Sequence, residues 1–227
     1  VDIDFFPANG LLYAMQGDGT AYSVDTATGA ATLRVTPLTT LSNITDFDFN
    51  PQADRLRLFG DTDMNYRMVP DTTTAPSAPG TSGTVISDGT FSNVSFQLVG
   101  SAYTNNFDGS TGTTLYSIDT VNNALIIHSG GPQFNTVAQV GSGLGIGDIG
   151  TNVGFDIAST DSFGYLSDGN SLYSLNLSTG TASSLGTVGG SGVMSIAAAV
   201  PEPSRAVLVF LGLALTTLRR RRTPAAV

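Results

Sequence analysis

Residues 1–200 carry 17 aspartates and a single histidine, His128, with no lysine, glutamate or cysteine among them. That inventory limits the chemistry before any fold is considered. Thiolate nucleophiles, zinc-thiolate centres and disulfides are excluded outright. A Ser-His-Asp relay would have to run through His128, and no Gly-x-Ser-x-Gly turn accompanies it. Set in Ile126-Ile127-His128-Ser129, the imidazole reads as the solvent face of a strand. Carboxylates are what remain. Asp4, Asp48 and Asp156 each sit between apolar neighbours at matching places in a recurring module. One reading makes them staples that accept hydrogen bonds between modules, as a buried carboxylate requires. The other brings them together on a hard cation such as calcium, which takes oxygen ligands.

Other motifs are weaker. Asp61-Thr62-Asp63 and Gly17-Asp18-Gly19 are fragments of calcium loops that do not continue into the full ligand spacing. Gly145-Ile146-Gly147-Asp148-Ile149-Gly150 matches Gly-x-Gly-x-x-Gly in form, but a strand-like segment follows where a phosphate-binding helix should, so it reads as a loop. Tyr13, Tyr22, Phe59, Tyr66, Tyr103, Tyr116, Tyr165 and Tyr173 offer a stacking platform for sugars, although at strand positions such rings more often pack as cross-strand pairs.

The elements that must position these groups are short strands. Residues 170–182, Asn-Ser-Leu-Tyr-Ser-Leu-Asn-Leu-Ser-Thr-Gly-Thr-Ala, alternate with period two and then turn at Ser178-Thr179-Gly180. Weaker copies recur at residues 21–30 and 114–124. Setting Asp25, Asp71, Asp119 and Asn176 against one another gives a spacing of roughly 50 residues, the period of propellers and arrays. The first module divides into four strand candidates at residues 3–6, 11–15, 20–25 and 31–36, parted by Asn9-Gly10, Gly17-Asp18-Gly19 and Thr28-Gly29. Later modules open near Asp48, Gln97 and Gly154, and residues 193–198 look like the first strand of another. No window sustains helical periodicity. The expected fold is therefore all-β: a propeller-like array of about four to five four-stranded antiparallel blades, the first of them truncated.

Charge divides the chain. The formal net charge is −9, yet residues 201–227 hold five of the nine arginines and one glutamate. An acidic body gains no counterion-release term from a phosphate backbone, so nucleic acid is not an expected partner. The sequence begins at Val1 without a charged or apolar leader, which is compatible with a leader removed elsewhere.

Two resemblances follow from particular residues. Phe47-Asp48-Phe49-Asn50-Pro51 leading to Asp54-Arg55-Leu56-Arg57, and Ala102-Tyr103-Thr104-Asn105-Asn106 leading to Leu115-Tyr116-Ser117-Ile118-Asp119, resemble the bacterial family called domain of unknown function 4394. The resemblance spans residues 1–198 and implies a secreted propeller-like domain without an assigned activity. The second is in the tail. Pro201-Glu202-Pro203 precedes an apolar run that starts at Ala206 and ends at Leu218, and Arg219, Arg220, Arg221 and Arg222 follow it directly. This order resembles the PEP-CTERM sorting signal of Gram-negative bacteria. The apolar run would enter the bilayer as a short helix while the arginines stay on the cytoplasmic side. At 1.5 Å per residue the run spans only about 20 Å against roughly 30 Å of hydrocarbon, a gap met by snorkelling arginines and local thinning. What the resemblance implies is cleavage by an exosortase.

The expected organisation is thus a repeat domain over residues 1–199 and a sorting tail over residues 200–227. The expected function is that of a non-enzymatic, exported cell-surface or matrix protein without an assigned biochemical activity, a structural or adhesion module or one that binds glycan or protein, with exopolysaccharide or surface proteins as its partners. It would pass through an inner-membrane intermediate to the cell surface or extracellular matrix of a Gram-negative bacterium. No cofactor is required. Two alternatives stand beside it: a calcium-dependent binding module, and a secreted enzyme acting on polysaccharide through paired carboxylates, which would need two aspartates facing one another.

Overall fold

The computed structural model describes residues 1–199 apart from 62, 76, 77, 93, 94, 159–162 and 191. The expected sorting tail and its apolar helix lie outside the described residues. Sixteen strands form four separate sheets of four, and among the described residues there is no helix. The first sheet holds β1 (Asp2–Phe5), β2 (Leu12–Met15), β3 (Ala21–Val24) and β4 (Ala31–Val35). The second holds β5 (Ile44–Asn50), β6 (Arg55–Gly60), β7 (Met64–Met68) and β8 (Val85–Thr90). The third comprises β9 (Leu98–Tyr103), β10 (Leu115–Asp119), β11 (Ala124–Ser129) and β12 (Thr136–Val140), and the fourth β13 (Val153–Ile157), β14 (Phe163–Asp168), β15 (Ser171–Asn176) and β16 (Ala182–Thr187). Each sheet is an antiparallel meander in chain order, and the four are arranged as propeller blades.

Burial falls off at the outer strand of each blade. The inner strands β1, β5, β9 and β13 pack against one another in sequence. β13 is buried along its whole length and β5 at all but Thr45, whereas β16 is almost wholly exposed. The cause is position: an inner strand has a neighbour on both faces and an outer strand does not. Period two then sorts the side chains of β5. Phe49 turns back onto the first blade, stacking on Phe6 at 4.1 Å with Tyr13 edge-on, while Asp46 and Asp48 face forward onto β9. Three apolar clusters fill the gaps between the first and second, second and third, and third and fourth blades.

Residues 193–198 take a fifth place in the inner ring. The Ala198 amide donates to Asp156 on β13, and Ser195 Oγ accepts from Ile3 N and donates to Asp2 on β1. Gly154 permits the approach, since a Cβ there would stand 2.7 Å from Ile196 N. Among the described residues no strand pairs with this segment.

Three expectations need correction. The first blade is not truncated: all four of its strands are present. The recurring Tyr-Ser-x-Asp unit is the third strand in the first blade but the second strand in the third, because Leu115–Asp119 pairs directly with the inner strand β9. His128 is not on a solvent face but 2% exposed, because loop residues as well as strands cover its side of β11.

Candidate functional site

The axis is built from an Asp-x-Asp pattern. β1 supplies Asp2 and Asp4 and β5 supplies Asp46 and Asp48, so alternation points each pair toward the next inner strand. Asp4 accepts from Phe49 N at 3.0 Å and Asp2 from Phe47 N at 3.3 Å. One blade further on, Asp48 accepts from Tyr103 N at 2.5 Å, and Asp46 from Ser101 N at 2.8 Å and from the Ser101 hydroxyl. Asp156 repeats the arrangement toward Ala198 N at 2.5 Å. Among the described residues β9 offers no such carboxylate to β13; there Gly100, in the left-handed region at φ 57°, lets Phe155 close in.

These carboxylates are in an unusual electrostatic position. Burial raises Asp46, Asp48 and Asp156 well above the ordinary carboxylate range, and the charges of neighbouring aspartates raise them further. Asp4 is pushed up to about 6, mainly by burial, and Asp2 is raised by the same cause. Asp4, Asp48 and Asp156 are thus brought to one axis, as their matching positions suggested. Both oxygens of Asp48 and of Asp156 accept backbone amides, and among the described residues no group of three or more acidic or histidine side chains is arranged to hold a metal. The sequence reading overlooked Asp2 and Asp46, which the repeated Asp-x-Asp spacing would have revealed.

Above this layer, where the inner strands begin, a cavity of about 290 Å³ opens to solvent. Asp2 and Asp46 line it, with Thr45, Gln97, Thr151 and Asn152 as neutral hydrogen-bonding groups and Ile44, Val99 and Val153 as apolar wall. A second cavity of about 290 Å³ shares Thr45, Gln97 and Val99 with it and extends to Phe96, Asp61 and Asp63. Among the described residues no arginine or lysine lines either one.

His128 lies elsewhere, between the second and third blades. Its ring stacks on Phe59 at 5.5 Å and meets Phe91 edge-on. Nδ1 is 2.9 Å from the Phe134 carbonyl, which makes it the donor, so Nε2 accepts from Ser117 Oγ at 2.6 Å. Burial depresses the imidazole to about 4. The pair resembles a serine–base dyad, yet Ser117 is fully buried and no carboxylate bonds Nδ1, so it has neither an orienting acid nor a path for substrate. Nearby, Arg57 is 1% exposed and donates to Asp88, Asn65 and Tyr103 and to the carbonyls of Pro132 and Gln133. Asp88 did not stand out in the sequence, and Arg57 did so only within the family motif and not as an ion-pair partner, because a buried ion pair between strands leaves no local pattern.

Four antiparallel blades about a carboxylate-bearing axis define a β-propeller-class protein. Its sequence places it more narrowly: the chain belongs to the family described as Domain of unknown function (DUF4394), whose model matches residues 1–197. No curated protein matches the sequence. Among solved structures, an auxiliary nutrient binding protein from Bacteroides ovatus is similar at 10% identity, with a TM-score of 0.50 over 84% of this chain and 42% of that one. A structural genomics protein of unknown function from Bacteroides thetaiotaomicron is similar at 20% identity and TM-score 0.48, over 81% of this chain and 42% of that one. This chain therefore spans less than half the length of either neighbour.

Proposed function

We propose that this protein is an exported, non-enzymatic binding module of the bacterial surface, and that its ligand docks at the axial mouth. The observation that carries the reading is the division of labour among polar groups there. The carboxylates beneath the mouth are committed to backbone amides of the ring, whereas the exposed side chains of Thr151 and Asn152 on its rim have no such commitment. Committed groups hold shape and uncommitted ones are free to bind. A rim of amides and hydroxyls over an acidic, partly apolar cavity suits a neutral hydroxyl-rich ligand such as a segment of exopolysaccharide, and disfavours anions. Export rests on the order Pro201-Glu202-Pro203, apolar run and arginine cluster, which an exosortase would process.

Binding is tested by titrating the protein against a panel of immobilised neutral oligosaccharides. Asn152→Ala combined with Thr151→Ala should weaken capture about tenfold, the loss of one or two hydrogen bonds, with the melting temperature unchanged. Capture that is unaffected by both changes would place the ligand elsewhere. Replacing Pro201, Glu202 and Pro203 by alanine in a host with an exosortase should leave the protein in the membrane fraction; unaltered release would remove the sorting role.

A further inference from the structure

The junction between the first two blades contains four aspartates, and among the described residues none of them is in an ion pair. Asp4 and Asp48 are both buried, and they meet over a single donor: Phe49 N–H lies 3.0 Å from Asp4 Oδ2 and 2.6 Å from Asp48 Oδ1. Asp4 Oδ1 is buried with no donor at all. The ion pairs among the described residues are Arg34–Asp71, Arg57–Asp88 and Arg67–Asp88, none of which reaches the axis.

We propose that the ring takes a proton as a structural ligand at this junction: Asp48 carries it, directed at Asp4 Oδ1. Two neighbouring buried carboxylates cannot both ionise without a large desolvation and repulsion cost. A single proton between them removes one charge and satisfies the orphan oxygen. Metal does not solve the problem equally well, because both oxygens of Asp48 are already occupied by amides. The charged and titratable groups facing the pair from each packed element are otherwise engaged. β6 presents Arg57 opposite Asp48, but its guanidinium bonds Asp88, Asn65, Tyr103 and two carbonyls, and β2 presents Tyr13 opposite Asp4. The Val1 amine, at the mouth beside Asp2, bonds the Met15 carbonyl. β9 presents Ser101 and the Tyr103 phenol, the latter already bonded to Arg57 Nε at 3.0 Å. β13 presents Asp156, a further negative group, and residues 193–198 present Ser195.

The consequence is a ring that responds to pH. Folded-state values raised above those of the unfolded chain mean that the native state holds more protons once pH exceeds about 4. Stability from the pair is thus complete below the unfolded value of 3.8 and is lost as pH rises through about 6 at Asp4 and then through the higher value at Asp48. The blades remain bonded at acid pH and the first junction loosens at alkaline pH.

The test uses the full chain in detergent, melted between about pH 5 and about pH 9, where the linkage slope reports proton uptake on folding. Asp4→Asn places an amide N–H where the orphan oxygen stood and keeps the acceptor for Phe49 N. It should melt higher than the parent at alkaline pH and lose the part of the fall with pH that belongs to the Asp4–Asp48 pair. Asp108→Asn removes the same charge from an exposed loop and should leave that fall in place. Equal slopes in the parent and Asp4→Asn would overturn the proposal. So would a calcium-induced rise in melting temperature that Asp4→Asn abolishes, since the site would then hold a cation. Should Asp4→Asn fail to fold, carboxyl-carbon NMR of the parent decides: aspartate resonances titrating above about pH 6 support the shared proton, and titration of every aspartate near 4 refutes it.

Discussion

Two junctions of the same ring bury acidic side chains by opposite means. Between the second and third blades Asp88 is met by Arg57 Nη1 at 2.6 Å and by Arg67 through Nε and Nη2 at 2.7 and 2.8 Å. Arg57 has its remaining donors satisfied by Asn65, Tyr103 and two carbonyls. At the axis the aspartates have only amides, hydroxyls and one another. A guanidinium does not titrate in the working range, so the first solution is permanent. A carboxyl pair is neutral only while it holds its proton, so the second is conditional. What the contrast teaches is that fold position selects the solution. Outside the inner strands an arginine has room to span to a partner strand, whereas at the crowded axis the short aspartate side chain is what fits between two backbones.

The largest expected effect lies at the permanent junction. Asp88→Ala leaves Arg57 buried beside Arg67 without its carboxylate and should cost about 3–5 kcal/mol in denaturant unfolding, to a similar extent from neutral to alkaline pH. A cost that varied strongly with pH would erase the distinction between the two junctions. Next is His128, whose depressed value of about 4 works in the opposite direction to the aspartates. The native state prefers the neutral ring, so its contribution is present above the unfolded value of 6.5 and is lost as pH falls through about 4. The amount at stake is roughly 3 kcal/mol. His128→Gln should flatten the acid limb of the melting profile and leave the alkaline limb alone; a change in the alkaline limb would mean that the two sites are coupled. The smallest effect is expected for Asp46→Asn. Its oxygen can still accept from Ser101 while its amide donates to Asp2, so the change should be within about 1 kcal/mol at acid pH. Asp46→Ala, which strands the Ser101 amide, should cost about 1–3 kcal/mol. Equal costs for the two variants would show that the hydrogen bonds at this position do not matter.

Local patterns made much of the fold legible. Alternation marked the inner and middle strands to within a residue or two, because side-chain direction in a strand depends on nothing beyond the strand itself. The turns were equally readable. Asp25 Oδ1 accepts from Ala27 N and Thr28 N, and Asn176 Oδ1 from Ser178 N and Thr179 N, all within three residues. The same locality set the limit. An Asx turn works wherever a strand must reverse, so the unit ending at Asp119 could serve a different turn of its blade from the unit ending at Asp25. β8 and β12 escaped notice because outer strands pack on one side at most, and Val-Ile-Ser-Asp-Gly-Thr and Thr-Val-Ala-Gln-Val show no strong alternation.

What the amino-acid sequence determined by itself was the all-β class, the modular period and the presence of aspartates at repeated inner positions, since each is written in residues a few places apart. Tertiary structure alone decided which amide each aspartate meets. Asp4 reaches Phe49 across 45 residues and Asp48 reaches Tyr103 across 55. It also decided that His128 is enclosed by Phe59 and Phe91 rather than exposed. A carboxylate has the same sequence signature whether it faces water, a cation or another carboxylate. Only the packing of blades around the axis removes water from it and so converts an ordinary acid into one that keeps its proton.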